Sequence, residues 1–226
     1  MQVQKRDGQL EDLNIDKLHK VVMYAVEGIT GVSASEVEIN SHIQFFDKIT
    51  STDIQETLIK SAADLISEES PNYQYVGGRL INYHLRKEVY GTFTPPCLCD
   101  IIDKNIDIGF YDAEFTELYT KAEINLLQEY IDHSRDEYLT YAAMEQFRGK
   151  YLVQNRATGE IFETPQVAYM MISATLFAEY PAETRLQYVK DYYDAISTFD
   201  VSLPTPVMAG VRTPQRQFSS CVLIET

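Results

Sequence analysis

The residues with the clearest potential for chemistry lie between Thr205 and Thr226, in the sequence TPVMAGVRTPQRQFSSCVLIET. Cys221 follows two serines and lies within the apolar run from Phe218 to Ile224. A cysteine in such a run is by default a buried small side chain, but a thiol can also give up electrons by forming a disulfide. The cysteine alone therefore leaves both interpretations open.

A second candidate site is formed by basic residues in the first part of the chain, namely Lys5, Arg6, Lys17 and Lys87. A bound triphosphate requires converging cations and the N-termini of helices, and these side chains could supply the cations. Isolated lysines carry little information, however, and a small α+β bundle with solvated surface lysines fits the same residues. On spacing alone, the second interpretation is favoured.

Local patterns predict that residues 1–91 form one unit that would position these cations. Asp7-Gly8 lies between alternating segments and predicts a β-hairpin, because both residues tolerate positive φ. Four helices are predicted after the hairpin: from Ile15 with Asn14 as its cap, from Ser33 through Phe46, from Thr52, and from after Pro71 to Tyr90. Gly91 is a suitable stop for the last of them.

The proline pair in Thr94-Pro95-Pro96 marks the clearest boundary, since proline cannot continue a helix. Residues 97–200 are predicted to be mostly helical, with one hairpin around Ala157-Thr158-Gly159 and a helix that begins at Pro165. From Val201 the sequence becomes strand-like and proline-punctuated. This change predicts the opening strand of a further domain.

Composition argues against several classes of function. With 34 Asp and Glu against 19 Lys and Arg, the net charge of −15 argues against nucleic-acid binding as the main function. Three cysteines, an odd number, argue against a secreted disulfide framework. Cys97 and Cys99 are separated by one residue, which is poor spacing for zinc or a disulfide, and both are interpreted as structural.

The four histidines share no metal-ligand spacing, so no metal site is predicted. The sequence shows no signal-peptide pattern and no apolar run approaching about 18 residues, the length of a membrane span. We therefore expect a soluble, cytoplasmic protein without membrane association.

The segment LPTPVMAGVRTPQRQFSSC, which ends at Cys221, closely resembles the first barrel strand and loop of the large, catalytic subunit of class I ribonucleotide reductase. The resemblance implies that Cys221 is one of the two cysteines that donate electrons to the ribose. It also implies that Thr205 and Ser220 contact the diphosphate or the sugar of the substrate.

Residues 1–91 resemble the ATP-cone, a regulatory nucleotide-binding module. The matching stretches are K-R-D-G from Lys5, E-D-L-N-I-D-K from Glu11, T-S-T-D-I-Q-E around Asp53, and R-L-I-N-Y-H-L-R-K ending at Lys87. The resemblance implies an allosteric site for ATP or dATP, with Mg²⁺ accompanying the nucleotide, and Asp53 falls where the family discriminates between the two. The residues implied to line the pocket are Lys5, Arg6, Glu11, Asp12, Leu13, Asn14, Ile15, Asp16, Lys17, Ser51, Asp53 and Lys87.

The implied fold is mainly α with small β elements. An ATP-cone of a β-hairpin and a four-helix bundle would span residues 1–91, a helical domain 92–200, and the first strand and loop of an incomplete α/β barrel 201–226. The implied activity is reduction of ribonucleoside diphosphates to 2′-deoxyribonucleoside diphosphates. Two thiols would become a disulfide in each turnover, and thioredoxin or glutaredoxin would reduce it again.

The implied partners follow from the same resemblance. A barrel that stops after its first strand predicts a chain that is inactive alone and is completed by a second polypeptide, as one half of a split enzyme, although a truncated piece fits the same pattern. A radical-generating small subunit would supply the radical. The alternative function is a non-catalytic nucleotide-sensing or interaction module made of the cone and the helical domain.

Overall fold

The structure, a computed structural model, describes residues 1–42, 44–215 and 217–219. Within these ranges the chain is mostly helical and contains one three-stranded sheet, which confirms the prediction of a mainly α fold with small β elements. Its strands are β1 (Gln2–Gln4), β2 (Leu10–Asp12) and β3 (Ile49–Thr50). Its helices are α1 (Ile15–Val26), α2 (Ala34–His42), α3 (Ser51–Asp64), α4 (Tyr73–Tyr90), α5 (Leu98–Asp107), α6 (Phe115–Leu118), α7 (Lys121–Tyr130), α8 (Tyr141–Gln146), α9 (Pro165–Leu176), α10 (Ala182–Ser197) and α11 (Thr205–Gly210).

The chain divides into two compact units. Unit 1 contains residues 1–85 together with 137–145, and unit 2 contains residues 86–136 together with the described residues from 146 onward. None of the helices in the described part of the chain is long and apolar enough to cross a membrane.

The sheet of unit 1 has β1 at its centre, antiparallel to β2 and parallel to β3. The predicted hairpin between β1 and β2 is confirmed, and at its turn the Lys5 N–H donates to the Gln9 carbonyl at 2.8 Å. Gly8 has φ of +83°, a left-handed conformation that glycine adopts without strain. The strand β3 was not predicted, because two residues are too few to show an alternating pattern.

The helices of unit 1 begin close to their predicted starts. The Asn14 side chain accepts the Lys17 N–H at 3.0 Å and so caps α1 as predicted. Thr50 rather than Thr52 precedes α3, and its hydroxyl accepts the Asp53 N–H at 3.0 Å. The helix predicted to reach Phe46 ends at His42, since the chain must turn back to the sheet, where the Lys48 N–H donates to the Gln2 carbonyl.

Unit 2 is organised around α9. Every residue from Pro165 to Ala174 is buried, so this helix is enclosed on all sides over its first ten residues and occupies the interior. The helix α10 packs against α9 and α7, and α5 packs against α7. The predicted hairpin before α9 forms as a tight loop with a single bridge between Gln154 and Ile161.

The strand predicted from Val201 does not form over residues 201–204. These residues have no regular structure, and Thr205–Gly210 forms the short helix α11 instead. The reason lies in the prolines, because a proline in the first turn of a helix has a suitable φ and loses no intrahelical hydrogen bond. The rest of the predicted strand, from residue 220 onward, lies outside the described residues.

Candidate functional site

The turn of the hairpin brings together several of the residues predicted to bind an effector. The Lys5 Nζ lies 3.7 Å from the Glu11 carboxylate, and both side chains are largely exposed. Because β1 is parallel to β3, with Gln4 opposite Thr50, the first turn of α3 follows directly beside Lys5. Ser51 and Asp53 therefore belong to the same end of the sheet as Lys5.

The first turn of α3 already carries a negative charge. The Thr50 hydroxyl donates to the Asp53 carboxylate at 2.7 Å while it accepts the Asp53 N–H, so the two residues form a closed cap. A carboxylate here offsets the partial positive charge of the helix N-terminus. The positive charge that compensates an anionic ligand at this position would therefore have to come from Lys5 and Arg6.

His84, for which no binding role was predicted, is a further member of this group. Its ring is 3% exposed, with Nδ1 3.5 Å from an Arg6 nitrogen and Nε2 3.6 Å from the Glu56 carboxylate. Because a guanidinium only donates, Nδ1 must accept and the ring proton lies on Nε2, facing Glu56. The signal for His84 was its position three residues before Lys87, on the same face of α4.

The remaining predicted residues lie elsewhere along the hairpin and the helices. Asp12 is in β2, and Leu13 donates its N–H to the Met1 carbonyl, at the opposite end of the hairpin from Lys5. The start of α1, which includes Asn14 to Lys17, follows from that opposite end. Lys87 is half-buried in the last turn of α4. The structure thus groups Lys5, Arg6, Glu11, Ser51, Asp53 and His84 most closely.

The C-terminal motif begins in unit 2 with Thr205, the exposed first residue of α11. Ser220 and Cys221 lie outside the described residues. The motif's arginine, Arg212, is buried and pairs with the buried carboxylate of Glu163. Beside the motif is an open cleft of about 520 Å³, which is lined by Gly109, Phe110, Leu152, Val153, Gln154, Asn155, Arg156, Ala209, Thr213, Pro214 and Gln215.

A hydroxyl completes the Arg212–Glu163 pair. The Tyr111 hydroxyl donates to Glu163 Oε2 at 2.6 Å. Burial, together with the negative charge of Glu163, raises the pKa of Tyr111 well above its usual value, so the hydroxyl remains a donor. These three residues are far apart in sequence, and no role was predicted for any of them.

A second buried polar network lies in unit 2. The Asp136 carboxylate, fully buried, accepts from Arg86 at 2.9 Å and from Gln166 at 3.0 Å, and the Tyr193 hydroxyl donates to Gln166 at 2.7 Å. Each member has a partner inside the unit, which is how buried charges are tolerated. We therefore assign this network to the structure of unit 2 and not to a binding site.

Neither a metal site nor a disulfide framework is found in the described part of the chain. No three His, Cys, Asp or Glu residues come together there as metal ligands. Cys97 and Cys99 are free thiols. The Cys97 sulfur accepts the Asp100 N–H at 3.3 Å and so serves as the N-cap of α5.

Two family matches cover most of the chain. Residues 1–88 match the ATP cone domain, and residues 137–216 match the all-alpha domain of ribonucleotide reductase. The presence of an ATP cone domain implies that unit 1 binds a nucleotide effector.

Relatives that align with this chain along nearly its whole length agree with these matches. The chain is 57% identical over 223 residues to ribonucleoside-diphosphate reductase 1 subunit alpha of Escherichia coli (strain K12), covering 99% of this chain and 29% of the relative. It is 56% identical to the subunit alpha of Haemophilus influenzae, covering 100% of this chain and 30% of the relative. It is 44% identical to the subunit alpha of Enterobacteria phage T4, covering 98% and 29%.

The two matched domains therefore define a segment in which an ATP cone is followed by an all-alpha domain of the ribonucleotide reductase type. The chain is similar to the N-terminal region of ribonucleoside-diphosphate reductase alpha subunits, and the resemblance predicted from the sequence is confirmed. It spans about 30% of the length of these relatives.

Proposed function

We propose that this chain supplies the effector site and one redox-active cysteine for the reduction of ribonucleoside diphosphates to 2′-deoxyribonucleoside diphosphates. The observation that carries the proposal is the 57% identity over 99% of the chain to a reductase alpha subunit. The ATP cone match over residues 1–88 supports the regulatory part of the proposal.

The proposed effector is ATP or dATP, with Mg²⁺ bound to its phosphates. Lys5 and Arg6 at the hairpin turn, with Lys17 and Lys87, would supply the positive charge for the triphosphate. Glu11 to Lys17, Ser51 and Asp53 complete the proposed pocket. The proximity of Lys5, Arg6 and the first turn of α3 around the sheet supports this arrangement, and the geometry adds His84 to it.

The proposed catalytic group is Cys221, with Thr205 and Ser220 as substrate contacts. In the reduction, Cys221 and a second thiol lose two electrons and two protons and form a disulfide, while the 2′-hydroxyl of the ribose leaves as water. Thioredoxin or glutaredoxin then reduces the disulfide by thiol–disulfide exchange. The second thiol and the radical cysteine belong to the rest of such a subunit.

The proposed partners are the remaining part of the large subunit, on the same polypeptide or a second one, and a radical-generating small subunit. The proposed domains are the cone at 1–91, the helical domain at 92–200 and the start of the barrel at 201–226. The compact unit that contains the cone also takes in residues 137–145, so binding experiments require the whole chain and not residues 1–91.

Calorimetric titration of the whole chain with ATP and dATP in the presence of Mg²⁺ tests the effector site. We expect affinity in the micromolar to millimolar range and a roughly ten- to hundredfold loss for Lys5→Ala or Lys87→Ala, the worth of a charge-assisted hydrogen bond. Lys60→Ala is the matched control, because Lys60 is exposed about two and a half turns along α3. Absence of heat with either nucleotide would refute the effector site.

The catalytic proposal is tested with Cys221→Ser in the chain assembled with the rest of a large subunit and a radical-generating subunit. Turnover supported by thioredoxin should be lost while effector binding persists, since a hydroxyl cannot form a disulfide. Multiple turnover at the normal rate would show that Cys221 is a packing residue. Effector binding without any reductase activity of the unaltered assembly would favour the non-catalytic sensing module.

A further inference from the structure

Arg212 belongs to the motif that carries the proposed substrate contacts, yet its guanidinium faces the protein interior. Its side chain has no exposed surface. Its Nε donates to both Glu163 oxygens, at 2.8 and 3.1 Å, one terminal nitrogen donates to the Met208 carbonyl at 2.7 Å, and the other donates to Glu163 and to the Tyr151 carbonyl. All three nitrogens are therefore engaged, and Arg212 is not a cation for the substrate diphosphate.

The Glu163 carboxylate is hydrogen-bonded as fully as the guanidinium of Arg212. Besides Arg212, it accepts the Tyr111 hydroxyl and the Val153 N–H, each at 2.6 Å. The next residue, Thr164, is the N-cap of α9, the helix buried along its first ten residues. The carboxylate therefore lies at the start of a helix that is buried along its first ten residues.

The same contacts hold α11 and the residues after it. The Met208 carbonyl, within α11, accepts a hydrogen bond from the Arg212 side chain. The Arg212 carbonyl itself accepts the Asp112 N–H at 3.1 Å. Both the side chain and the backbone of Arg212 therefore attach the segment to the interior. This ion pair is bidentate, and its hydrogen bonds add directional constraints that apolar packing lacks.

We propose that Arg212, Glu163 and Tyr111 are positioning residues that fix α11 and residues 211–215, which precede Cys221 in the sequence, for the reduction step. The inference rests on the proposed function for its consequence in catalysis, but the contacts that carry it are independent of that function. Arg212 sets the place of Thr205 through α11 and sets the start of the segment that leads to Cys221.

The test uses a paired variant, because removing one charge alone would leave the other buried without a partner and could unfold the unit. Arg212→Met with Glu163→Gln removes both charges and retains one oxygen that can accept the Val153 N–H, while the amide NH2 can donate to the Tyr111 hydroxyl. Tyr111→Phe is a milder second variant that removes one hydrogen bond. The matched control is Arg185→Met with Glu123→Gln, which removes another ion pair of unit 2, at 2.5 Å.

Two readouts on the whole chain require no turnover. Amide hydrogen exchange should accelerate about tenfold at Met208, Val211 and Asp112 in the paired variant, less in Tyr111→Phe, and not in the control, while α9 remains protected. The rate of Cys221 alkylation, measured by mass spectrometry against Cys97, should also change in the paired variant alone. Unchanged exchange at those three amides, or equal acceleration in the control, would overturn the proposal.

Catalysis supplies the third readout. In the assembled reductase, the paired variant should lower kcat about tenfold, with a melting temperature close to that of the control. Wild-type kcat despite faster exchange would overturn the positioning role. An inactive unaltered assembly would refute the proposed function instead, and the exchange results would still decide whether the three residues fix α11.

Discussion

Gly78 in α4 lies directly against the backbone of residues 139 and 140, within unit 1. A Cβ at this position would approach the Leu139 carbonyl oxygen to well under 3.0 Å, a separation that real Cβ atoms essentially never show. The neighbouring Gly77 differs, because its nearest neighbours are side-chain atoms of Tyr141 at 3.2 Å. The two glycines therefore offer a matched pair for one substitution.

The expected magnitudes follow from these contacts. Replacing glycine by alanine inside a helix is favourable by about 0.5–1 kcal/mol, and this gain applies to both positions. At Gly78 the backbone at Leu139 must move, and overpacking of this kind costs about 1–3 kcal/mol or more. We expect Gly78→Ala to be net destabilising by about 2 kcal/mol, and Gly77→Ala to be within about 1 kcal/mol of the unaltered chain, since a tyrosine ring can shift.

The assay is urea and thermal unfolding of the whole chain, followed by hydrogen exchange to assign the loss to unit 1. For a unit of this size, about 2 kcal/mol corresponds to a melting temperature lower by roughly 8–15 °C. The loss should appear in both α4 and residues 137–145, because they share the contact. Equal stability of the two variants would refute the reasoning and would detach residues 137–145 from the unit that contains the cone.

Two further predictions concern pH. Glu123, 15% exposed, has a pKa below its ordinary value of 4.5: partial burial acts to raise it, but hydrogen bonds from Thr120 and Arg185 outweigh burial. The stability this carboxylate contributes is therefore present above about pH 4.5 and lost as pH falls through the lowered pKa, so Glu123→Gln should cost about 2 kcal/mol at pH 7 and much less at pH 3 in urea unfolding. His133 has its pKa lowered to about 4, mainly by burial and then by Arg86, so its ring should remain neutral in an NMR titration down to that pH. Because the unfolded chain takes up this proton near pH 6.5, stability should decline from pH 6.5 towards pH 4, and His133→Gln should flatten that decline.

Local signals predicted most of unit 1 because its elements are determined by neighbouring residues. The Asp7-Gly8 turn and the Asn14 cap each depend on residues within a few positions, and the structure confirms both. The stop of α4 at Gly91, which falls in unit 2, is local in the same way and is also confirmed. The strand β3 and the early end of α2 depend on pairing with β1, more than forty residues away in the chain. A contact of that separation leaves no local pattern.

The candidate sites divide in the same way. Lys5 and Glu11 were predicted from two neighbouring stretches that resemble the ATP-cone, and the hairpin register brings them together. His84 and the Arg212–Glu163–Tyr111 group were missed, because their contacts join residues 78, 49 and 52 positions apart. The prediction of a strand at Val201 was wrong. It gave more weight to an apolar, β-branched residue than to the two prolines that follow, which favour the start of a helix.

The partners of the arginines in unit 2 bear on how a substrate could be bound there. Three of its arginines, Arg86, Arg185 and Arg212, are paired with carboxylates of the same unit at Asp136, Glu123 and Glu163. Their charges are compensated within the fold and not available to a diphosphate near Thr205. The cleft beside the motif still contains Arg156, whose guanidinium donates to the Gly149 and Lys150 carbonyls. The proposed effector site differs from the three buried ion pairs, with Lys5 and Arg6 at the hairpin turn in a chain of net charge −15. In the proposed function, cations at the surface attract the effector, whereas the buried arginines of unit 2 stabilise the fold.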